Sequence, residues 1–264
     1  MNLRTLLYPW AIITPLSFGS AAVAAEIKVL SSNSMTSVLK EVAPLFERAS
    51  GHKVTLGFGT SQQVAKRVQE GEPADVVVIT PQAIDQLAKQ GKVIAGSGVQ
   101  VARSLMGIGV RAGAPHPDIG TPEALKRTLL AAKSVTFSDP ATGAESGQHA
   151  MRIFERLGIA TEMKPKFKFG DGASSDRLVV SGEAELAIWQ ISALKPVAGL
   201  DIVGPLPAEL QHTTYISAGL DATGLGATGL GTAGQAPNAA LAFMKFLGSP
   251  EAAAVIKAKG LEPG

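Results

Sequence analysis

The stretch that decides the fold is Ile27-Lys28-Val29-Leu30, then Ser31-Ser32-Asn33-Ser34, then Met35-Thr36-Ser37-Val38-Leu39-Lys40-Glu41-Val42. A strand pattern runs into small hydroxyl residues, and these run into a helical pattern. Strand followed directly by helix is the repeating unit of an α/β protein. The junction also sets a helix N-terminus, with its unpaired backbone N–H groups and positive dipole end, beside hydroxyl donors. That combination seats an anion.

The unit recurs along the chain. Ile27–Leu30 reads as strand and Thr36–Ala49 as helix, closed by Ser50-Gly51. Lys53–Phe58 reads as strand and Gln62–Glu70 as helix, closed by Gly71. Asp75–Ile79 is a continuous Val/Ile run, as in a strand buried on both faces, and Pro81–Gln90 is a helix with Pro81 in its first turn. This pattern argues for a parallel sheet covered by helices. A second set follows: strands Ser104–Arg111, Ser134–Phe137, Lys166–Phe169 and Glu185–Gln190. Its helices run from Thr121 to Ala132, Ser146 to Leu157 and Ser174 to Ser181. Two closing helices, Pro237–Leu247 and Pro250–Lys259, have no strand between them and should pack back on the first set. The tandem Ala-Thr-Gly-Leu-Gly units between Ala222 and Gly231 read as a low-complexity loop, because a phosphate loop needs a following helix and usually a lysine.

Residues 1–24 read as a secretory leader. Arg4 is the basic start, Leu6 to Phe18 the apolar centre, and Ala22-Val23-Ala24 a cleavage site, with Val23-Ala24-Ala25 an equal alternative. The apolar run is too short to span a membrane and carries Pro9 and Pro15. The chain has no Cys, so it uses no disulfide in a compartment that permits them. Twenty-four Lys and Arg stand against 22 Asp and Glu, a formal charge of +2, which is too balanced for a nucleic-acid or membrane-surface protein. Aromatic residues make up 5%, so stacking platforms for bases or sugars are scarce. No nucleophile elbow, dinucleotide fingerprint or metal-ligand spacing appears among the motifs.

Four strand-to-helix junctions share one chemistry: Ser31–Ser34, Gly59-Thr60-Ser61-Gln62, Thr142–Gly147 and Gly172-Ala173-Ser174-Ser175. In open α/β sheets ligands bind beyond the carboxyl ends of strands. Any one junction is explained by ordinary N-capping. All four together, two in each half, predict donors that face each other across a cleft.

The first two junctions, Ser31–Ser34 and Gly59–Gln62, the turn Glu72-Pro73-Ala74-Asp75, the run Ser138-Asp139-Pro140 and the turn Gly182-Glu183-Ala184-Glu185 resemble the periplasmic molybdate-binding proteins of ABC importers and their relatives. The resemblance covers about Glu26 to Gly264. It implies an α/β, two-lobed periplasmic binding protein fold of type II-like architecture, with mixed sheets flanked by helices and a cleft between the lobes. One lobe would comprise 26–102 plus 216–264 and the other 103–215, with chain crossings near Arg103 and Tyr215. It implies a soluble, monomeric protein that captures a small anion and delivers it to an inner-membrane permease, with no cofactor and no nucleic acid. Ser34 and Ser61 match the family's oxyanion serines, and Ser146 and Ala173 its backbone donors; Gln62 and Ser174 lie beside them. The Glu72–Asp75 turn reads as structural.

One position departs from the family. Where molybdate binders carry a Tyr after the late strand, this chain has Gln190, in Trp189-Gln190-Ile191-Ser192. Chains with Gln here resemble a divergent branch whose ligands include organic anions, and aconitate isomerase is one activity of that wider family. The ligand therefore stays open between an inorganic oxyanion and a polycarboxylate. Neutral donors suffice for a compact dianion, whereas a tricarboxylate calls for Arg or Lys. Arg103, Arg177 and Lys168 are available, although each also reads as a solvated charge. An isomerase needs a base for an allylic proton, and Glu145 and His149, spaced i, i+4, are the candidates. Their plain structural roles would be a helix-dipole partner and a polar surface group.

Overall fold

The computed structural model describes residues 24–142, 145–169, 177–222 and 235–264. The leader before Ala24, the junction around Ala173 and Ser174, and most of the Ala-Thr-Gly-Leu-Gly tandem lie outside the described residues.

The opening unit forms as its sequence dictates. Strand β1, Glu26–Ser32, is buried along its second half and passes through a 3-10 turn, Asn33–Met35, into α1, Thr36–Ser50. Helix α1 ends at Gly51, whose φ of 77° lies in the left-handed region that glycine reaches without a Cβ clash. β2, Lys53–Gly59, and β3, Val76–Ile79, both pair parallel to β1. Helices α2, Ser61–Gln69, and α3, Pro81–Lys89, complete the βα repeats.

Beyond β3 the sheet is mixed, not parallel throughout. Strand β9, Thr213–Leu220, pairs antiparallel with β3, and β4, Val99–Arg111, pairs antiparallel with β9. The full order is β2-β1-β3-β9-β4-β7-β5-β6, where β5 is Val135–Thr136, β6 Phe167–Lys168 and β7 Leu186–Gln190. Strand β8, Leu200–Pro205, and strand β10, Glu262–Pro263, pair with opposite halves of β4.

Strand β4 is the structural pivot. Its first seven residues, up to Leu105, pair with β9, and from Met106 onward it pairs with β7 and β8. One continuous strand thus belongs to two sheets. It starts five residues before the predicted Ser104 because its register with β9 spans more than 100 residues of sequence, a pairing that no local pattern reports.

Each sheet has its own core. Around β1, the outer face packs Val29, Val76 and Val78 against Phe46 of α1 and Phe243 of α9, Gln235–Leu247. The rings of Phe46 and Phe243 meet edge to face at 5.1 Å. Helix α10, Pro250–Ala258, adds Ile256 to this cluster, so the two closing helices return to the first set. The inner face packs Leu30, Val77 and Ile79 against α2 and α3. Both faces of β3 are therefore covered, as its unbroken apolar run requires. The second sheet has a separate core in which Phe137, Phe154 and Phe167 pack together beside α4, Pro122–Ala131, and α5, Glu145–Arg156.

The Glu72–Asp75 turn ties β1 to β3. Asp75 Oδ2 accepts from the Lys28 backbone N–H at 2.7 Å. Glu72 accepts from Arg67 at 2.6 and 2.8 Å and from Lys28 Nζ at 2.8 Å. The hydrogen bonds from Arg67 and then Lys28 hold the Glu72 carboxyl down to about 2. Burial pushes the Asp75 carboxyl up, against the pull of the Lys28 N–H.

Candidate functional site

The end of β1 faces a cavity. Ser31 is buried and turns inward, its Oγ donating to the Ser32 carbonyl at 3.2 Å. Ser32 and Ser34 share an Oγ–Oγ hydrogen bond of 2.8 Å. Met35, the residue before α1, is fully buried and offers no side-chain cap. The hydroxyls of this junction are therefore not used up in capping the helix.

The cavity measures about 590 Å³. Asn33, Ser34, Thr36, Ser37 and Lys40 form one wall. Gln190, at the end of β7, and Ser192, in helix α8, Ile191–Leu194, line it from the second sheet. Ser104 of β4 and Thr214 of β9, directly paired across the ladder, lie between them. Ser104 and Ser192 share an Oγ–Oγ hydrogen bond of 2.9 Å. The cavity thus opens where the two sheets meet, and both sheets contribute polar groups. Its size falls in the range of roughly 300–1,000 Å³ that small-molecule sites occupy.

Of the residues singled out from the sequence, Ser34 and Gln190 come together in this cavity. Ser61 and Gln62 do not line it. They are the first two residues of α2, whose start is closed by a reciprocal capping box: Thr60 Oγ1 accepts from the Gln63 N–H at 3.1 Å, and Gln63 Oε1 accepts from the Thr60 N–H at 2.8 Å. Ser146 is buried and shares a hydrogen bond of 2.9 Å with Ser138 Oγ. Ala173 and Ser174 lie outside the described residues.

Glu145 and His149 also lie away from this cavity, and the structure corrects the surface reading of His149. The imidazole is buried, with Nε2 at 2.8 Å from the Leu210 carbonyl and Nδ1 at 3.4 Å from Arg152. A neutral ring donating from Nε2 and accepting at Nδ1 satisfies both contacts. Burial pushes its pKa down, and the nearby His212, Arg152 and Arg156 add to that. Glu145 is exposed and meets His212 Nε2 at 3.1 Å, while the His212 and His149 rings lie 5.0 Å apart. His212, which reads as a loop residue in the sequence, is the partner both candidates share.

The cations weighed from the sequence are elsewhere. Arg103 pairs with Glu262 at 2.6 Å on the exposed side of β4. Lys168 is exposed at the end of β6, and Arg177 opens α7, Arg177–Ser181, beside a different cavity. The cation at the β1 site is Lys40. A signal for it was present: Asn33, Thr36 or Ser37, and Lys40 follow i, i+3/i+4, i+7, one stripe of a helix. Ser104, Ser192 and Thr214 carry no comparable signal, because only sheet pairing brings them together.

The sequence matches the model of the bacterial extracellular solute-binding protein family over residues 27–262. The chain belongs to that family. It is 35% identical over 243 residues to an aconitate isomerase from Pseudomonas sp., covering 90% of this chain and 87% of the relative. It is 27% identical over 249 residues to the molybdate-binding protein ModA of Azotobacter vinelandii, with 91% of each chain covered. The periplasmic molybdate-binding protein of Azotobacter vinelandii also superposes with a TM-score of 0.61 at 21% identity, covering 89% of this chain and 98% of that one. The fold is that of the two-lobed periplasmic binding proteins, with a mixed sheet and flanking helices.

Proposed function

We propose that this solute-binding protein captures a small anion in the cavity between Ser34 and Gln190 and delivers it, as a monomer, to an ABC permease. The lobes in this reading are 26–102 plus 216–264 and 103–215, and they close about β4 and β9. The observation that carries it is the cavity itself: hydroxyls and an amide from both sheets converge on one space whose described lining contains no carboxylate. Work in the periplasm follows from the leader, cleaved after Ala24 or Ala25, and agrees with the family.

The test is thermal unfolding of the mature chain with molybdate, tungstate, sulfate, phosphate and trans-aconitate. A ligand that binds only the native state at a hundredfold excess over its Kd adds about 2.7 kcal/mol of stability. A clear rise in Tm with at least one of these anions is expected. No rise with any of them overturns the proposal.

A second reading is isomerisation of aconitate between the lobes, with its bases in the Glu145–His212–His149 group, which does not line the Ser34–Gln190 cavity. It is favoured by 35% identity to an aconitate isomerase against 27% to a molybdate binder. The reaction removes an allylic proton, shifts the double bond and returns a proton at the other carbon, so it needs a base and no redox partner. Glu145, with His212 against it, and His149 are the groups to test, and the burial and internal hydrogen bonds of His149 favour Glu145. Purified protein is incubated with trans-aconitate and cis-aconitate is followed by chromatography. Turnover that Glu145→Gln abolishes supports the reading, and a folded sample without turnover excludes it.

A further inference from the structure

We infer that Lys40 makes the β1 cavity selective for organic anions bearing two or more carboxylates, over compact inorganic oxyanions. This rests on the capture reading and names the ligand class of the same site.

The phase of α1 is the first ground. Asn33, Ser37 and Lys40 all line the cavity, so one stripe of the junction and helix faces it. The next residue, Glu41, points to another side and pairs with Lys259 at 2.6 Å. That contact holds α1 from the far side and leaves Lys40 on the cavity wall. Among the described residues Lys40 has no ion-pair partner, and the described lining of the cavity contains no other cation and no carboxylate.

The second ground is the combination of one cation with many neutral donors drawn from both sheets. Lys40 is the ammonium of the described lining. Ser34 and Ser37 beside it, and Ser104, Gln190, Ser192 and Thr214 from the neighbouring strands and helix, are neutral donors. A tetrahedral oxyanion is satisfied by neutral donors clustered around one point. It fills only a small part of a cavity of about 590 Å³. A polycarboxylate can place one carboxylate among the hydroxyls and amide and another against the ammonium. The charged pair offsets the desolvation of that second carboxylate, which neutral donors alone would leave costly.

The experiment is calorimetric titration of the mature chain with trans-aconitate, its saturated analogue tricarballylate, acetate and molybdate, repeated with Lys40→Gln and Lys40→Arg. Lys40 is exposed, so neither change disturbs a core, and circular dichroism checks folding. The wild type should bind a tricarboxylate more tightly than acetate or molybdate. Lys40→Gln should weaken tricarboxylate binding about tenfold or more and change acetate or molybdate binding less than about twofold. Lys40→Arg should recover most of the loss. If the wild type prefers molybdate, or if Lys40→Gln leaves tricarboxylate binding intact or weakens every anion equally, the inference is overturned while the capture reading stands. If the wild type binds none of the four, the inference is overturned, and the unfolding test with tungstate, sulfate and phosphate decides the capture reading separately.

Discussion

The junctions after β1 and β2 end neighbouring parallel strands, yet they dispose of their polar groups differently. After β2, Thr60 and Gln63 satisfy each other's backbone, and the start of α2 is chemically closed. After β1, no side chain caps α1, and Ser34 stands at a cavity, its hydroxyl bonded to that of Ser32. The junction before α5 is a third case: Ser138 and Ser146 share an Oγ–Oγ bond like that of Ser32 and Ser34, but both are buried, and Gly147 packs against the Ser138 carbonyl. Each of the three carries at least two hydroxyl residues. What differs is whether local backbone or burial consumes them, and only an unconsumed donor is available to a ligand.

Four measurements break or sharpen this contrast. The largest effect belongs to the closed α5 junction. A Cβ on Gly147 would lie 2.1 Å from the Ser138 carbonyl oxygen, which is backbone and cannot swing away. Gly147→Ala should cost about 3 kcal/mol of stability, read by denaturant unfolding. A cost near zero would mean that the junction is open, as at β1.

Next is Ser34→Ala. It should weaken binding of whichever anion stabilises the wild type by about tenfold, while changing stability by less than about 0.5 kcal/mol. Calorimetry and unfolding together separate the two readouts. A loss of stability without a loss of affinity would make Ser34 structural.

Thr60→Ala should do the reverse: a loss of about 1 kcal/mol from the missing cap, with anion affinity unchanged. Reduced affinity would show that the β2 junction also serves the ligand.

The smallest effect is a pH slope. His149 is held neutral by burial, so its folded pKa lies below the ordinary 6.5. As pH falls from about 7 to about 5, the unfolded imidazole takes up a proton before the folded one does. The unfolded state then binds more protons, and stability falls with pH until the folded ring titrates as well. His149→Gln should flatten that part of the profile, measured as denaturant midpoints. An unchanged profile would remove His149 as its source.

The repeating half of this chain is legible because its information is local. Burial pattern, caps and the αL glycine after α1 are properties of adjacent residues, and the strands and helices from β1 to α3 lie close to their predicted ranges. Strands β8 and β9 escape such reading. Leu200–Pro205 ends in Gly204 and Pro205, and Thr213–Leu220 carries the small run Ser217-Ala218-Gly219, so neither shows a strong period. They are strands because β3 and β4 lie beside them with unpaired edges to fill. The same limit applies to the site. Ser34 is visible in the sequence because it sits in a strand–helix junction, whereas Ser104, Thr214 and Ser192 are hydroxyls scattered over 111 positions that meet only through pairing and a crossing chain.

By itself the sequence determined the α/β class, the βα repeat, the exported character and the presence of a hydroxyl-rich helix start after β1. These follow from side-chain period, capping chemistry and composition, all of which act within a few residues. Only the tertiary structure decided which hydroxyls stay available and that Lys40, not Arg103, Lys168 or Arg177, is the cation at the β1 cavity. It likewise put His212 between Glu145 and His149. Those outcomes depend on long-range strand register and on which neighbour reaches a polar group first, and neither is written in the spacing of the residues concerned.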